Sequence, residues 1–426
     1  MPAIVDYPTV VKLALKQFGH LFANEPERRH FAEYLTGLMV AQSKTVSGIN
    51  SEFAATTDQS CLNRFITQVE WSEKELNESR LDWLQQDPST RFYAQGVIPF
   101  DNVLISHEGQ VIEDVGYFWD HADQRHLIAH DYLIINYVCT SGKHYPLEFR
   151  RFRKKEDCLA FEQYCQSQPG GVAKAPERDR RLAQFKSHTD LAGELIDWVV
   201  EHQIPGDFTM DSYFTNAPVL NHINQHNRAY VGDLKFNRKI VFEGREMKAE
   251  ELAAGIGPEI RKAVQVGDTQ QWYFTKTIRI PEVDHKVRIV ILWDRKYGKE
   301  AVKILVSNRI GWEVTRVMRV YRRRWTSTET FHRDGKQNLG MGECQLRSGE
   351  DQTRHMYLVI LAYTLLMAEM RQGRVSEWAR SVLTTIGEAC RGVMRETIAK
   401  TISWAIEKAR CEGWSHEKIC AHLGLM

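Results

Sequence analysis

The hydrophobic repeat of this chain changes twice, and that alternation limits the possible architecture more than any other feature. Up to about residue 90, apolar positions recur at helical spacing in HFAEYLTGLMV and SCLNRFITQV. A further helix is predicted from Trp71, with Ser72 as N-cap and Glu73 and Glu75 in the first turn. From residue 93 the period shortens to that of strands in FYAQGVIPFDNVLI, QVIEDVGYFWD, HLIAHDYLIINYVCT and YPLEFRRFR. Turn signals at His107-Glu108-Gly109 and Ser141-Gly142-Lys143 separate these runs and predict an antiparallel meander. A loop with Pro169, Gly170 and Gly171 follows, then helix DLAGELIDWVVEH, strand DFTMD, helix APVLNHINQHN and strand AYVGDLKF, which is an α/β order. Residues 236–315 are again strand-rich (QQWYFTKTIRI, KVRIVILWD, AVKILVS) and read as an insertion. From Val317 the pattern is helical, with an apolar helix after Arg354 and the amphipathic TISWAIEKAR. The expected division is a helical domain over 1–92, an α/β core over 93–370 and a helical region over 371–426.

A length of 426 residues exceeds one ordinary domain, and 43% hydrophobic with 26% charged residues describes a chain that folds throughout. Lys and Arg number 56 against 55 Asp and Glu, so no overall field draws the protein to nucleic acid and any such binding must rest on local clusters. The eight cysteines form no Cys-x-x-Cys pair, which fits reduced thiols in the cytoplasm. The N-terminus has no basic stretch ahead of an apolar one. The longest apolar run, Met356 to Met370, falls short of the roughly 20 residues a membrane span requires and reads as a buried core helix.

Three acids stand where chemistry is expected. Asp101 closes the apolar run GVIPF, Asp211 closes DFTMD, and Glu329 lies in VYRRRWTSTETFHRDGKQ with Lys336 seven residues further, on the same helical face. A carboxylate inside an apolar strand is costly unless a cation or partner compensates. Three oxygen donors are what two Mg²⁺ ions about 4 Å apart require for in-line phosphoryl transfer. An Asp at a strand end also serves as a turn or helix cap, and Asp114, Asp120, Asp131 and Asp294 are rivals. Basic clusters occur at Arg150, Arg151, Arg153, Lys154 and Lys155, at Lys235, Arg238 and Lys239, and at Arg322, Arg323 and Arg324 beside Tyr321 and Trp325. The last suits phosphate neutralisation with base stacking; the first reads equally as a solvated surface. The stretch from Ser43 to Gln68 reads either as a helix-turn-helix with Lys44 and Arg64 near phosphates or as part of a plain helical bundle.

The block with Tyr321, Arg324, Glu329 and Lys336 resembles the signature of DDE transposases of bacterial insertion sequences, in the Tyr-Arg-Glu-Lys group and its branch numbered seven hundred and one. The likeness runs through FDNVLISHEGQVIEDVGYFWD and DSYFTNAPVLNHI to RWTSTETFHRDGKQNLGMGECQLR, most of residues 95–370. It implies an RNase H-like core with a strand-rich insertion between the second Asp and the Glu, and Mg²⁺ or Mn²⁺ serving both cleavage and joining. It implies Asp101, Asp211 and Glu329 as metal ligands, phosphate contacts from Tyr321, Arg324 and Lys336, and stacking of a flipped or hairpin base on Trp325. Lys235 and Arg238 are further candidates for DNA contact. The implied partners are double-stranded DNA, as transposon terminal inverted repeats and target, and a second copy of the chain in a homodimer on the paired ends; the implied location is the cytoplasm, at the nucleoid. One departure stands out: four residues, not three, separate Arg324 from Glu329. An unbroken helix would favour Arg322, seven residues before Glu329, whereas a local bulge or a helix starting at Thr326 or Thr328 would favour Arg324. A repurposed transposase that only binds DNA and a stand-alone nuclease are the alternatives.

Overall fold

The shift of periodicity near residue 93 is a shift of secondary structure. The computed structural model describes residues 3–370 and 383–425 apart from positions 56, 110, 122 and 268, so residues 371–382 of the expected C-terminal region lie outside the described residues. Five helices come first: α1 (Thr9–Phe18), α2 (Glu25–Val40), α3 (Val46–Ser51), α4 (Gln59–Thr67) and α5 (Glu73–Leu84). Strands β1 (Val97–Ser106), β2 (Gly116–Asp120), β3 (Arg125–Val138) and β4 (His144–Phe152) follow. Helices α6 (Lys155–Ser167), α7 (Gly171–Lys174), α8 (Glu177–Ala183) and α9 (His188–Glu201) lead to β5 (Asp207–Met210), α10 (Ala217–Gln225) and β6 (Tyr230–Asp233). Then come β7 (Lys239–Phe242), β8 (Arg245–Lys248), α11 (Ala249–Gly255), β9 (Lys262–Val266), β10 (Thr269–Ile278), β11 (Val287–Trp293) and β12 (Lys303–Ser307). The chain continues through α12 (Val314–Asn338), α13 (Gly349–Glu369), α14 (Ile386–Cys411) and α15 (His416–His422).

Two compact units result, and neither is one contiguous stretch. The first comprises residues 1–91, 104–130 and 331–426 and is mainly helical. Its central element is α13, in which every residue from His355 to Ala368 is buried, so the apolar run is a core helix. Ser348 starts this helix by accepting from the Glu350 N–H. Beside it the buried Arg80 guanidinium donates to Asn77 Oδ1 and, at 2.9 Å, to Thr364 Oγ1. Seven residues separate α3 from α4, more than the tight turn of a helix-turn-helix. Lys44 is turned inward, with Nζ donating to the Ala41 carbonyl at 2.8 Å, so it does not present a phosphate-binding charge as one reading had it. Arg64 remains exposed. Among the described residues no helix is long and apolar enough to cross a membrane.

The second unit comprises residues 92–103 and 131–330 and is built on a mixed sheet. Its strand order is β3-β1-β5-β6-β12-β11-β10-β9, with β4 pairing β3. The inner pairs β1–β5 and β5–β6 are parallel, as crossovers through helices demand, and the pairs outward from β6 are antiparallel. The strand-rich stretch after residue 236 therefore extends the sheet beyond β6. Val314, Val317 and Met318 of α12 pack with Val97, Val231, Val290 and Leu305 of the strands in one apolar cluster, with Tyr321 against it. Helix α6 has no counterpart in the sequence reading. Only its Cys158 and Cys165 are buried, so it lacks the broad apolar stripe that periodicity detects.

The start of the β1–β5 pair is tight. Gly206, at φ 137°, precedes β5, and a Cβ there would lie 2.9 Å from the Gly96 carbonyl oxygen; a side chain at Gly96 would run into the Tyr137 hydroxyl. That hydroxyl is itself fixed, accepting from the Tyr93 N–H at 2.7 Å and donating to the Tyr93 carbonyl at 2.8 Å. Gly206→Ala is expected to lower unfolding free energy by about 1–3 kcal/mol, the cost of a non-glycine residue in such a conformation, as measured by denaturant melts. An unchanged midpoint would contradict this strand start.

Candidate active site

Two acids sit side by side because two strands run in parallel. Val97 faces Asp207, Ile98 faces Phe208 and Pro99 faces Thr209, and the same register carried two residues further sets Asp101 level with Asp211. Neighbouring strands lie about 4.8 Å apart and partners in register share a face. The Asp101 side chain is only 14% exposed, and its Oδ2 accepts from Arg324 Nη1 at 2.7 Å while Oδ1 accepts from the Asn102 N–H at 3.0 Å. Burial pushes the Asp101 carboxyl up to about 7; the charge of Asp211 adds to this, Arg324 opposes it, and Glu329 adds again. Asp211 also does what strand-end acids commonly do. Its Oδ1 accepts from the N–H groups of Tyr213 and Phe214 at 3.0 and 3.1 Å, closing the turn that leads into α10.

Helix α12 is unbroken from Val314 to Asn338, yet Arg324 rather than Arg322 reaches Asp101. Arg322 lies seven residues before Glu329, but Asp101 lies towards the sheet-facing side of α12, and that side carries Arg324. Val317, Tyr321, Arg324 and Thr328 continue that side at steps of four, three and four residues. Arg324 is 7% exposed; burial works against its charge, but Asp101, Tyr321 and Asp211 outweigh it and hold its pKa above the ordinary value. Arg322 instead donates to the Val266 carbonyl, and Arg323 donates to the Gln95 carbonyl at 3.1 Å. Tyr321 points its hydroxyl at Asp233 Oδ2, 3.2 Å away, where Lys303 Nζ also donates at 2.9 Å. Trp325 is 65% exposed beside this group, with the Arg324 guanidinium 5.9 Å from its ring centre.

The remaining sequence candidates are more dispersed. Lys235 is exposed, with its ammonium 6.0 Å from the ring centre of Tyr213, and Arg238 lies 3.8 Å from Glu282. Lys336 is exposed further along α12, among the residues grouped with the first unit. Arg150 is engaged by Glu148 and Glu194 at 3.5 and 3.4 Å, so that basic cluster serves the fold at least in part. Of the rival acids, Asp294 follows β11, three strands from β5 and hence roughly 14 Å away across the sheet. Asp114 and Asp120 belong to the first unit. Asp131 is buried in β3 with both oxygens occupied, by Asn102 Nδ2 at 3.2 Å and His188 Nε2 at 2.8 Å.

That last pairing was not read from the sequence. The His188 ring stacks on Phe152 with centroids 3.9 Å apart, and its Nδ1 lies 3.3 Å from the Tyr213 hydroxyl. Asn102 and Tyr213, flanking the two strand acids, are thus tied to each other through Asp131 and His188. The one available signal was the capping box at Ser187 and Asp190, which places His188 in the first turn of α9.

The Asp101 carboxyl carries a pH dependence. Its folded pKa, about 7, exceeds the ordinary 3.8, so between these values the folded state binds more protons than the unfolded one. Stability without divalent cations should therefore fall as pH rises from about 4 through 7. Asp101→Asn is expected to flatten that fall in thermal melts run across this range; parallel curves for the two proteins would contradict the assignment.

The chain is similar over residues 17–281 to the family described as DDE superfamily endonuclease. No curated protein gives a significant match. The matched stretch includes Asp101 and Asp211 and ends before Glu329. A mixed α/β fold around a large mixed sheet fits the RNase H-like core of such enzymes. With a match over more than half its length, the chain belongs to the DDE endonuclease superfamily.

Proposed function

We propose that the chain is a DNA transposase of the Tyr-Arg-Glu-Lys group, nearest the branch numbered seven hundred and one, which cleaves transposon ends and joins them to target DNA. The observation that carries this reading is the parallel register of β1 and β5, which sets the buried Asp101 level with Asp211, with the charges of Asp211 and Glu329 both bearing on Asp101. A trio of hard oxygen donors with excess negative charge fits divalent cations such as Mg²⁺ or Mn²⁺, with Asp101, Asp211 and Glu329 as the ligands. Bound there, the ions supply an activated attacking oxygen and charge neutralisation at the leaving oxygen.

The chain's own residues supply position and charge. In each step an oxygen, from water at cleavage or from a 3′-hydroxyl at joining, forms a bond to phosphorus as the bond to the departing 3′ oxygen breaks. Arg324 holds Asp101 in place through Nη1, and its buried Nε, which has no partner among the described residues, is suited to donate to a phosphate oxygen. Tyr321, anchored by Asp233 and Lys303, stiffens the same turn of α12. Trp325 offers an exposed ring to an unstacked base. Lys235, Arg238, Arg322 and Lys336 neutralise phosphates on either side of the scissile bond. Bringing two ends together calls for two copies of the chain on DNA, acting in the cytoplasm at the nucleoid.

Glu329→Gln, which keeps size and removes charge, is expected to bind end DNA as wild type does and to lose Mg²⁺-dependent cleavage of labelled duplex by at least about 1,000-fold. Cleavage at the wild-type rate would remove Glu329 from the site. Lys336→Ala is expected to weaken end binding and reduce the slope of log affinity against log salt by about one. An unchanged slope would return Lys336 to the solvated surface.

A further inference from the structure

Helix α10 carries one histidine in its last turn and a second, four residues on, as its C-cap, and both turn the same nitrogen to one oxygen. His222 Nε2 lies 2.7 Å, and His226 Nε2 2.9 Å, from Oδ1 of Asp197 on α9. One imidazole against one carboxylate is an ordinary ion pair. Here two imidazoles at i and i+4 converge with a carboxylate from a neighbouring helix, and the three donor atoms lie within 4.8 Å of one another. The side chains of His222, His226 and Asp197 are 31%, 30% and 44% exposed, so an ion can enter and solvent can complete its shell. A Cβ at Gly193, one turn before Asp197, would stand 4.0 Å from His222 Nε2, an ordinary contact distance, so the backbone of α9 does not crowd the cluster.

We infer that Asp197, His222 and His226 bind a transition-metal dication of the zinc class, with a fourth position open to water. Two imidazole nitrogens and one carboxylate oxygen form a borderline donor set that suits Zn²⁺, whereas Mg²⁺ prefers oxygen throughout. Tetrahedral ligands at about 2.0 Å from an ion stand about 3.3 Å apart, so each imidazole nitrogen needs to move only about half an ångström away from Asp197 Oδ1, within reach of side-chain rotation. Each Nε2 must present a lone pair and keep its proton on Nδ1, and binding therefore releases any proton held at Nε2. The site is distinct from the carboxylate trio in residues and in chemistry. Its consequence is positional: α9 ends shortly before β5 and α10 begins shortly after Asp211, so the ion would staple together the two helices that bracket the strand leading to Asp211.

The test is a Zn²⁺ titration of the chelator-stripped full chain, followed by calorimetry and by thermal melting. Wild type and Asp101→Asn are both expected to bind one equivalent at this site and to melt higher when loaded. His222→Gln and His226→Gln should each bind it more than about 100-fold more weakly, beyond the roughly 10- to 100-fold that loss of an outer-shell contact costs. No stoichiometric binding, or equal binding by the histidine variants, would reduce the cluster to ion pairs between helices. If a variant does not fold, anomalous scattering at the zinc edge from wild-type crystals decides instead. Density among the three donors supports the site, and density confined to Asp101, Asp211 and Glu329 overturns it.

Discussion

Parallel pairing of β1 with β5 brings two acids level on adjacent strands, and much of the second unit can be read as an answer to the electrostatic cost. A carboxylate that is 14% exposed beside another carboxylate is strongly disfavoured in its charged form, as the upward displacement of Asp101 shows. The pair is held by apolar packing of the strands and by close backbone approach at Gly96 and Gly206, neither of which has any preference for charge. Compensation is local. Arg324 donates to Asp101, and the turn after β5 draws two N–H groups onto Asp211. Both answers leave net negative charge among Asp101, Asp211 and Glu329, the charge that the proposed metal site would use.

Helix α12 links packing to chemistry. Its first turns are ordinary, with Val314, Val317 and Met318 seated in the strand core. The same side then passes from apolar to charged: Tyr321 carries its hydroxyl to Asp233, and Arg324 takes the buried place one turn later. A helix fixed in azimuth by its apolar start has no freedom to choose which arginine faces inward. That is why three consecutive arginines take three different partners and Trp325 is left exposed next to them.

Much of this could be read from residue order alone, because strands and helices with strong periodicity announce themselves. The strands carrying Asp101 and leading to Asp211, the α10 helix after it and the buried α13 all follow from apolar spacing. Direction was harder. Seven-residue spacing relates Arg322 to Glu329 along one helix but says nothing about where the sheet lies, and it is Arg324 that faces Asp101. Weakly amphipathic α6 escaped notice for want of an apolar stripe, and Lys44 read as a surface cation because its acceptor, the Ala41 carbonyl, is invisible in a list of side chains. Partners distant in sequence, such as Asp131 with His188 or Asp197 with His222 and His226, exist only once β3, α9 and α10 are placed. Asp131 shows the limit well: as a strand acid it rivalled Asp101, and its ties to Asn102 and His188 exist only once β1, β3 and α9 are placed.

The most direct measurement is anomalous scattering from crystals of the chain soaked in Mn²⁺, since it locates the ion without relying on activity. Two peaks about 4 Å apart, touching Asp101, Asp211 and Glu329, are the expected result. Ordered Mn²⁺ at other carboxylates, with none among these three, would contradict the central claim that the paired strands and α12 build a divalent-metal site.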